Sequence, residues 1–263
     1  MYEKSGFKVA TLSVILISFN EASRIDACLR KVAWADEIIV VDSCSTDDTR
    51  DIALQHTPHV HNVAWMGFGP QKNHALSLAT CDWILSIDCD EQVSDLLASD
   101  IQNALKSSTC NGYTIPFRNR FLGRITRFGE WSGERKLRLF RKGRGQFTNV
   151  QLHERLEVVG EIQPLRGCIE HDTCPTEEHL QHKKLTYAAI GASNAIANGK
   201  RATLPMAAGR AFWSFLRSYV FKLGVFDGRT GWRLACCMGH STWLKYRWIA
   251  AGSVPEKHQP RSK

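Results

Sequence analysis

The chain has 263 residues, 43% of them hydrophobic, which suits one large α/β domain, or one domain with an appendage, and excludes extensive disorder. Nine scattered cysteines without a Cys-x-x-Cys pair argue against a disulfide framework or a zinc ribbon and fit a reducing cytosol. The net charge of +8 is uneven, since residues 1–112 carry 8 − 15 = −7 and residues 113–263 carry 26 − 11 = +15. Such a basic half suits nucleic acid, anionic lipid, a phosphorylated substrate or plain solvated surface.

The first half of the chain alternates apolar runs with amphipathic stretches, a pattern typical of β-α-β units. Four apolar runs predict strands: LSVILISF (12–19), EIIVVDS (37–43), VHNVAW (60–65) and WILSID (83–88). Helices are predicted between them, one of them over 45–55 with Ser45 or Thr46 as its N-cap. Because the strands are near-continuously apolar, we predict a doubly wound, mainly parallel sheet covered on both faces.

The second half changes character. Residues 113–175 predict shorter strands and loops that extend the sheet, and residues 176–252 are mainly helical and rich in aromatic and basic side chains. No run reaches the roughly 18 uninterrupted apolar residues of a membrane span, and no signal peptide is evident, so we expect a chain that is neither transmembrane nor secreted.

The fourth strand ends in a crowded group of acids, within the sequence ILSIDCDEQV (84–93). Ligands bind such sheets outside the carboxyl ends of the strands, where Asp42 also lies. Asp88 and Asp90 therefore suit a hard divalent cation that keeps positions for substrate phosphates, although an acid-rich helix start would give the same pattern. Glu91 is expected only to brace the loop.

Three stretches in this order, VILISFNEASRI, IIVVDSCSTDDT and WILSIDCDE, resemble the inverting family 2 glycosyltransferases of GT-A fold, which use nucleotide-diphosphate sugars. The stretches FGEWSGERKLRLFRKGRGQF, VQLHERL and IEHDTCPTEEHLQHKKLTYA, with the aromatic C-terminal segment, are similar to the branch that adds glucose to a heptose of the lipopolysaccharide inner core. The resemblance implies a GT-A catalytic domain over 1–175, with a donor half at 1–112 and an acceptor half at 113–175. A helical extension over 176–252 and a disordered tail over 253–263 follow.

The resemblance also implies which residues bind the donor. It assigns Ser18, Phe19, Glu21 and Asp42 to the nucleoside of a UDP-sugar, and a carboxylate such as that of Asp42 can accept from uracil or ribose.

The same resemblance places Asp88 near the ribose and diphosphate, and it gives Asp90 the divalent cation, Mg²⁺ or Mn²⁺. Lys72 lies where a cation would meet the diphosphate, a surface lysine being the alternative, and His171 is a candidate late metal ligand or a structural histidine.

An inverting transfer needs a base opposite the leaving group, and the resemblance implies Glu154 in QLHERL. This stretch lacks the second histidine of a zinc protease motif. Arg135, Arg138 and Arg141 recur every third residue and are candidates for acceptor phosphates.

The predicted partners are the UDP-sugar, a lipopolysaccharide core acceptor and an anionic membrane surface, with no nucleic acid. Basic residues among Trp and Phe over 207–223 and 232–249 suit a helix in the membrane interface, although packing on the catalytic domain would also explain them. A lipid acceptor implies a peripheral enzyme on the cytoplasmic face of the inner membrane.

Three other functions compete with this interpretation. A phosphatase with Asp-x-Asp would carry Thr or Val four residues after the first Asp, where Gln92 stands, and a nucleotidyltransferase would carry a Gly-rich phosphate loop. A basic binding module would leave the acids at the strand ends unexplained. The donor sugar, the metal, the acceptor hydroxyl and the oligomeric state stay open.

Overall fold

A computed structural model describes residues 10–107, 109–149 and 155–255. The chain divides into two compact units. The first comprises Met1–Phe117 and Glu134–His171, and the second comprises Arg118–Gly133 and Asp172–Lys263. The domain division predicted at 175/176 stays a prediction, and most of the tail predicted at 253–263 lies outside the described residues.

Four parallel strands form one side of the main sheet. They are β1 (Leu12–Ser18), β2 (Glu37–Asp42), β3 (Val60–Asn62) and β4 (Trp83–Ser86). These are the four strands predicted from the apolar runs. Their apolar side chains are divided between two faces, because successive residues of a strand point to opposite sides. Leu12, Val14 and Leu16 pack in one buried cluster, and Ile15 packs in the other.

Helices cover both faces of this parallel part. They are α1 (Ile25–Arg30), α2 (Thr49–Leu54), α3 (Phe68–Leu78) and α4 (Asp95–Ser107). Leu29 of α1 and Leu97 of α4 join the cluster of Val14, whereas Ala75 of α3 joins that of Ile15. The prediction of a sheet covered on both faces is therefore confirmed.

Antiparallel strands extend the sheet beyond β4. They are β5 (Glu91–Val93), β6 (Gly112–Phe121), β8 (Arg135–Arg141) and β12 (Ile169–Cys174), in the order β3-β2-β1-β4-β8-β6-β12-β5. Two short strands, β7 (Arg124–Ile125) and β11 (Ile162–Pro164), also pair with β6. A separate hairpin joins β9 (Gly145–Phe147) to β10 (Leu156–Val158). The predicted extension of the sheet by the second half of the chain is confirmed.

The second unit is mainly helical. Its helices are α5 (Glu177–Ala197), α6 (Leu204–Leu216), a π-helix (Arg217–Phe221), a 3₁₀ helix (Gly224–Asp227) and α7 (Gly228–Ala251). The side chains of Thr176 and Thr203 cap α5 and α6 by accepting from backbone N–H groups. Ala188, Ala192 and Trp248 lie in a buried cluster between α5 and α7. In the described part of the chain, no helix is long and apolar enough to cross a membrane.

Candidate active site

The loops after β1 and β2 are joined by polar side chains at the carboxyl ends of these strands. Ser18 lies beside Asp42 in the parallel register, and its hydroxyl donates to the Asp42 carboxylate at 2.8 Å. The backbone N–H and the hydroxyl of Ser45 donate to the same carboxylate at 2.7 and 2.6 Å. Asp42 is fully buried and holds the loop that follows it, and its predicted contact with a nucleoside stays a prediction.

Asn20 ties the two loops together from the other side. Its backbone is in the left-handed region (φ 54°), which asparagine tolerates better than most residues. Its N–H donates to the Ser45 hydroxyl at 2.8 Å, and its side-chain oxygen accepts from the Thr46 N–H at 2.8 Å. Because Ser45 and Thr46 are used here, neither caps α2, which begins at Thr49 after Asp48. The predicted N-cap was therefore wrong.

Phe19 and Glu21 flank this junction. The Phe19 side chain is about half exposed, and the Glu21 N–H donates to the Thr49 hydroxyl at 2.8 Å. The Glu21 carboxylate lies 3.7 Å from an Arg24 nitrogen. Burial raises its pKa, Arg24 opposes that shift, and the nearby Asp90 adds to it. The residues that the resemblance assigned to the nucleoside therefore lie at one edge of the sheet: Ser18, Phe19, Glu21 and Asp42.

Asp88, which follows β4, is held between two cations. Lys72 of α3 lies 3.0 Å from one carboxylate oxygen, and Arg138 of β8 lies 2.8 Å from the other. Burial raises the pKa of Asp88, but the two positive charges outweigh it and hold that pKa well below its usual range. Lys72 is itself buried, so the alternative of an ordinary surface lysine is excluded.

Glu91 braces the acidic loop from beneath. One of its carboxylate oxygens accepts the Asp88 N–H at 3.1 Å, and the other pairs with Arg138. Burial raises its pKa to about 7 against the opposing charge of Arg138, with Asp88 and Asp90 adding to the rise. The expected bracing role of Glu91 agrees with this geometry.

Asp90 points to a different neighbour. Its carboxylate lies 3.2 Å from Nε2 of His171, which β12 places opposite Glu91 in the antiparallel register. Burial raises the pKa of Asp90, but the contact with His171 lowers it by more. The pKa of Asp90 is therefore below its usual value, and the carboxylate is held in its ionised form. The structure therefore brings together the two residues predicted as metal ligands.

The donor set around Asp90 suits a cation that takes most of its ligands elsewhere. No group of three or more His, Cys, Asp or Glu within the described residues is arranged to hold a metal ion. One carboxylate with a neighbouring imidazole still fits Mg²⁺ or Mn²⁺, because such ions commonly use one or two protein ligands together with substrate phosphates and water. The residues present fit a cation shared with a diphosphate.

Glu154, the predicted base, lies outside the described residues, but the hairpin on either side of it is described. The N–H of Thr148 donates to the Arg155 carbonyl at 2.9 Å and closes the hairpin. The Asn73 amide of α3 donates to the Phe147 carbonyl at 2.8 Å and accepts from the Phe147 N–H at 2.9 Å. Helix α3 thus carries Lys72 toward the acids and Asn73 toward the hairpin.

The three arginines predicted to meet acceptor phosphates all bond to groups of the protein, although Arg135 is exposed and Arg141 is half-buried. Arg138 is buried beneath the acids, Arg135 donates to the Thr114 and Leu165 carbonyls, and Arg141 donates to the Cys110 carbonyl. The prediction was wrong for Arg138, because the buried acids require a buried cation. The signal that could have revealed this is a charged residue in the middle of the otherwise apolar run LRLF.

Known proteins resemble this chain over much of its length. The profile of Glycosyl transferase family 2 matches residues 13–156. An uncharacterized glycosyltransferase of Rickettsia felis is 30% identical over 228 residues, with 80% of this chain and 79% of the relative covered. The lipopolysaccharide core biosynthesis glycosyltransferase LpsC of Rhizobium meliloti is 25% identical over 257 residues, with 94% and 92% covered. The S. aureus TarS structure in complex with UDP aligns with a TM-score of 0.48 and 14% identity over 92% of this chain and 90% of that one.

Proposed function

The chain belongs to glycosyl transferase family 2, and from this premise we propose that it moves a hexose, which we assign as glucose, from a UDP-sugar to a heptose of the lipopolysaccharide inner core. It is a glycosyltransferase of GT-A fold that uses a nucleotide-sugar donor. Transfer proceeds with inversion at the anomeric carbon.

The observation that carries this proposal is the arrangement of charges after β4. Asp90 and His171 present an oxygen and a nitrogen ligand side by side, and Lys72 adds a buried ammonium 3.0 Å from Asp88. A binding module would gain nothing from several acids crowded at a strand end. A diphosphate together with a divalent cation complements these charges. The cation would pair with the carboxylates, and the Lys72 ammonium would pair with the phosphates.

In this proposal Ser18, Phe19, Glu21 and Asp42 surround the nucleoside, and Asp90 with His171 holds Mg²⁺ or Mn²⁺ when the donor binds. The bound cation supplies charge stabilisation for the diphosphate as it leaves. Lys72 contacts the same diphosphate. Asp88 orients Lys72 through their ion pair and also faces the ribose.

Glu154 then acts as the base. Its carboxylate takes the proton of a heptose hydroxyl, the hydroxyl oxygen bonds to the anomeric carbon, and the bond from that carbon to the UDP oxygen breaks with its electron pair. The product is the glycoside, with UDP as the leaving group. Because the base and the leaving group lie on opposite faces of the sugar, the configuration inverts.

The proposed acceptor comes from the resemblance to one relative. LpsC is named for lipopolysaccharide core biosynthesis and aligns over nearly the whole chain, which favours a core acceptor at 25% identity. Another lipid-linked or cell-envelope glycan is the alternative. A lipid-borne acceptor in turn favours a peripheral enzyme on the cytoplasmic face of the inner membrane, in contact with an anionic surface.

The test is transfer from a panel of UDP-sugars to core-truncated lipopolysaccharide, with and without a chelator. We expect transfer from UDP-glucose that a chelator abolishes. Asp90→Ala should lose cation-dependent binding of UDP, measured by calorimetry, because it removes the carboxylate ligand. Glu154→Gln should bind UDP as the wild type does and lose transfer by about 100-fold or more, the usual contribution of a general base.

Glu157→Gln is the matched control, since Glu157 is an exposed carboxylate on the same hairpin, three residues after the predicted base. Full transfer by Glu154→Gln would show that another residue is the base. Transfer that is indifferent to chelator would remove the cation from the proposal, and transfer only to a different glycan would select the alternative acceptor.

A further inference from the structure

The second unit exposes an unusual number of large apolar side chains in one short segment. Seven of them, which we call the apolar tip, lie between the middle of α6 and the end of the 3₁₀ helix: Phe212, Trp213, Val220, Phe221, Leu223, Val225 and Phe226. Phe212, Phe221 and Phe226 are exposed by 65%, 63% and 70%. Proteins seldom expose so many large apolar side chains in one place unless that surface binds another protein, a membrane or a ligand.

The exposed apolar side chains of α6 do not replace its packing face, because a separate side of this helix packs on α7. Ala207 is fully buried on that side, and Phe215 and Tyr219 contact the Trp232 ring, with centroids 5.1 and 5.3 Å apart. The apolar side chains of 207–223 are therefore divided between a packed side and an exposed side.

The apolar tip is also held in a defined shape. The Trp213 and Phe221 rings lie 5.4 Å apart, and Leu223 adopts a left-handed backbone conformation (φ 60°) that is costly for leucine. At Gly224 a Cβ atom would lie 2.6 Å from the Ser218 carbonyl oxygen, so the turn closes too tightly for any side chain. A strained backbone that directs leucine toward solvent is expected where that side chain has an apolar partner.

The charge around the apolar tip indicates the kind of partner. Residues 200–229 contain six basic residues and a single acid: Lys200, Arg201, Arg210, Arg217, Lys222, Arg229 and Asp227. The Asp227 carboxylate accepts the backbone N–H groups of Arg127 and Phe128, both at 2.9 Å, so it serves the loop. Glu130 lies 2.8 Å from Arg217 and 3.2 Å from Lys222, so one carboxylate offsets one of these two positive charges. Six basic residues against Asp227 and Glu130 leave a net charge of 6 − 2 = +4.

We propose that the apolar tip inserts into the interfacial region of an anionic lipid bilayer while the surrounding basic residues contact the lipid headgroups. Aromatic and aliphatic side chains edged with Lys and Arg are the composition of such interfacial elements. A second copy of the chain is disfavoured, because pairing two tips would bring two cationic borders together. The purpose of this membrane contact, reaching a lipid-borne acceptor, rests on the proposed function. The contact itself is inferred only from residues of the second unit.

The experiment measures co-sedimentation of the purified full chain with vesicles of phosphatidylcholine, alone or with about one third phosphatidylglycerol. We expect binding to the anionic vesicles that weakens with added salt. Phe221→Ser/Phe226→Ser should reduce the partition coefficient at least ~10-fold, because each change withdraws a large apolar side chain from the bilayer. A second double variant, Phe212→Ser/Phe221→Ser, should behave alike.

Leu54→Ser/Leu96→Ser is the matched control, since both leucines are exposed in the first unit and far from this segment in sequence. It should bind vesicles as the wild type does. Release of UDP from the donor without lipid should be unchanged in all three variants, so a failure of membrane binding would leave the proposed chemistry standing.

Three results would overturn the inference. The first is a wild type that ignores anionic vesicles, and the second is wild-type partitioning by both apolar-tip variants. The third is a dimer in sedimentation velocity that Phe221→Ser/Phe226→Ser converts to a monomer, which would make the apolar tip an interface between copies.

Discussion

Removing Arg138 should reveal how the acidic loop is kept folded. In Arg138→Met the buried guanidinium is replaced by an apolar chain, and Glu91 keeps only the Asp88 N–H among the partners described above. Asp88 retains Lys72 at 3.0 Å. The perturbation therefore falls mainly on Glu91, which is 1% exposed. Loss of one partner from a buried ion pair typically destabilises a protein by ~3–5 kcal/mol.

The effect should depend on pH in a defined direction. Burial raises the pKa of Glu91 to about 7 in the wild type, above its unfolded value of 4.5, so the folded state binds the proton more tightly and stability falls as pH rises between these values. Between pH 5.5 and 8 this group costs the wild type ~2 kcal/mol. Without Arg138 the pKa of Glu91 rises further, and the cost over the same interval grows to ~3 kcal/mol.

The assay is urea unfolding in the presence of a chelator at about pH 5.5 and pH 8. Arg138→Met should be less stable than the wild type at both pH values and more so at the higher one. The double variant Arg138→Met/Glu91→Gln, which has no buried carboxylate at this position, should recover stability at the higher pH and lose the additional pH dependence.

Destabilisation below about 1 kcal/mol in Arg138→Met at about pH 8 would refute the argument, because leaving a buried carboxyl group without its cationic partner costs more than that at this pH. The argument would equally fail if the double variant kept the steeper pH dependence, since another group would then be responsible.

Two further substitutions test helix α3. Lys72→Met should raise the KM for the UDP-sugar ~10-fold or more, because a charge-assisted contact with the donor is lost. The fold should stay intact, since Asp88 keeps its ion pair with Arg138. An unchanged KM in initial-rate kinetics would show that Lys72 does not contact the donor. Gly69→Ala should destabilise by ~1–3 kcal/mol in thermal unfolding, since its Cβ would lie 2.0 Å from the Thr148 carbonyl oxygen. Gly209→Ala, whose Cβ meets nothing within 4 Å, is the helical control and should not destabilise.

The parallel half of the fold was predictable because its determinants are local. The apolar runs that became β1, β2 and β4 are bounded by polar residues at their carboxyl ends, and the geometry of parallel sheets brings such ends to one edge. Asp42 could therefore be placed at this edge from the sequence alone, whereas Ser18, which lies beside it in the structure, was assigned there only by the family resemblance. The same reasoning set Asp88 and Asp90 at that edge.

What the sequence did not reveal depends on partners distant along the chain. Arg138 meets Asp88 from 50 residues away, on an antiparallel strand whose position in the sheet no local pattern specifies. The N-cap of α2 was misplaced for a related reason, because Ser45 and Thr46 are used by Asp42 and Asn20 rather than by their own helix. A polar residue that suits a local role can be recruited by a neighbour that becomes adjacent only in the folded chain.

The two hydrogen bonds between Asn73 and Phe147 have a consequence for how this enzyme could diversify. The amide side chain pairs with the backbone of Phe147 as a neighbouring strand would, so the base of the hairpin is registered on α3 independently of the residues between its strands. Changes in that connecting segment that keep Glu154, the proposed base, can therefore accumulate without moving Lys72 or Asp88. Because the proposed base meets the acceptor and α3 carries Lys72 to the donor side, we expect substitutions on either side of Glu154 to change the acceptor more readily than the donor.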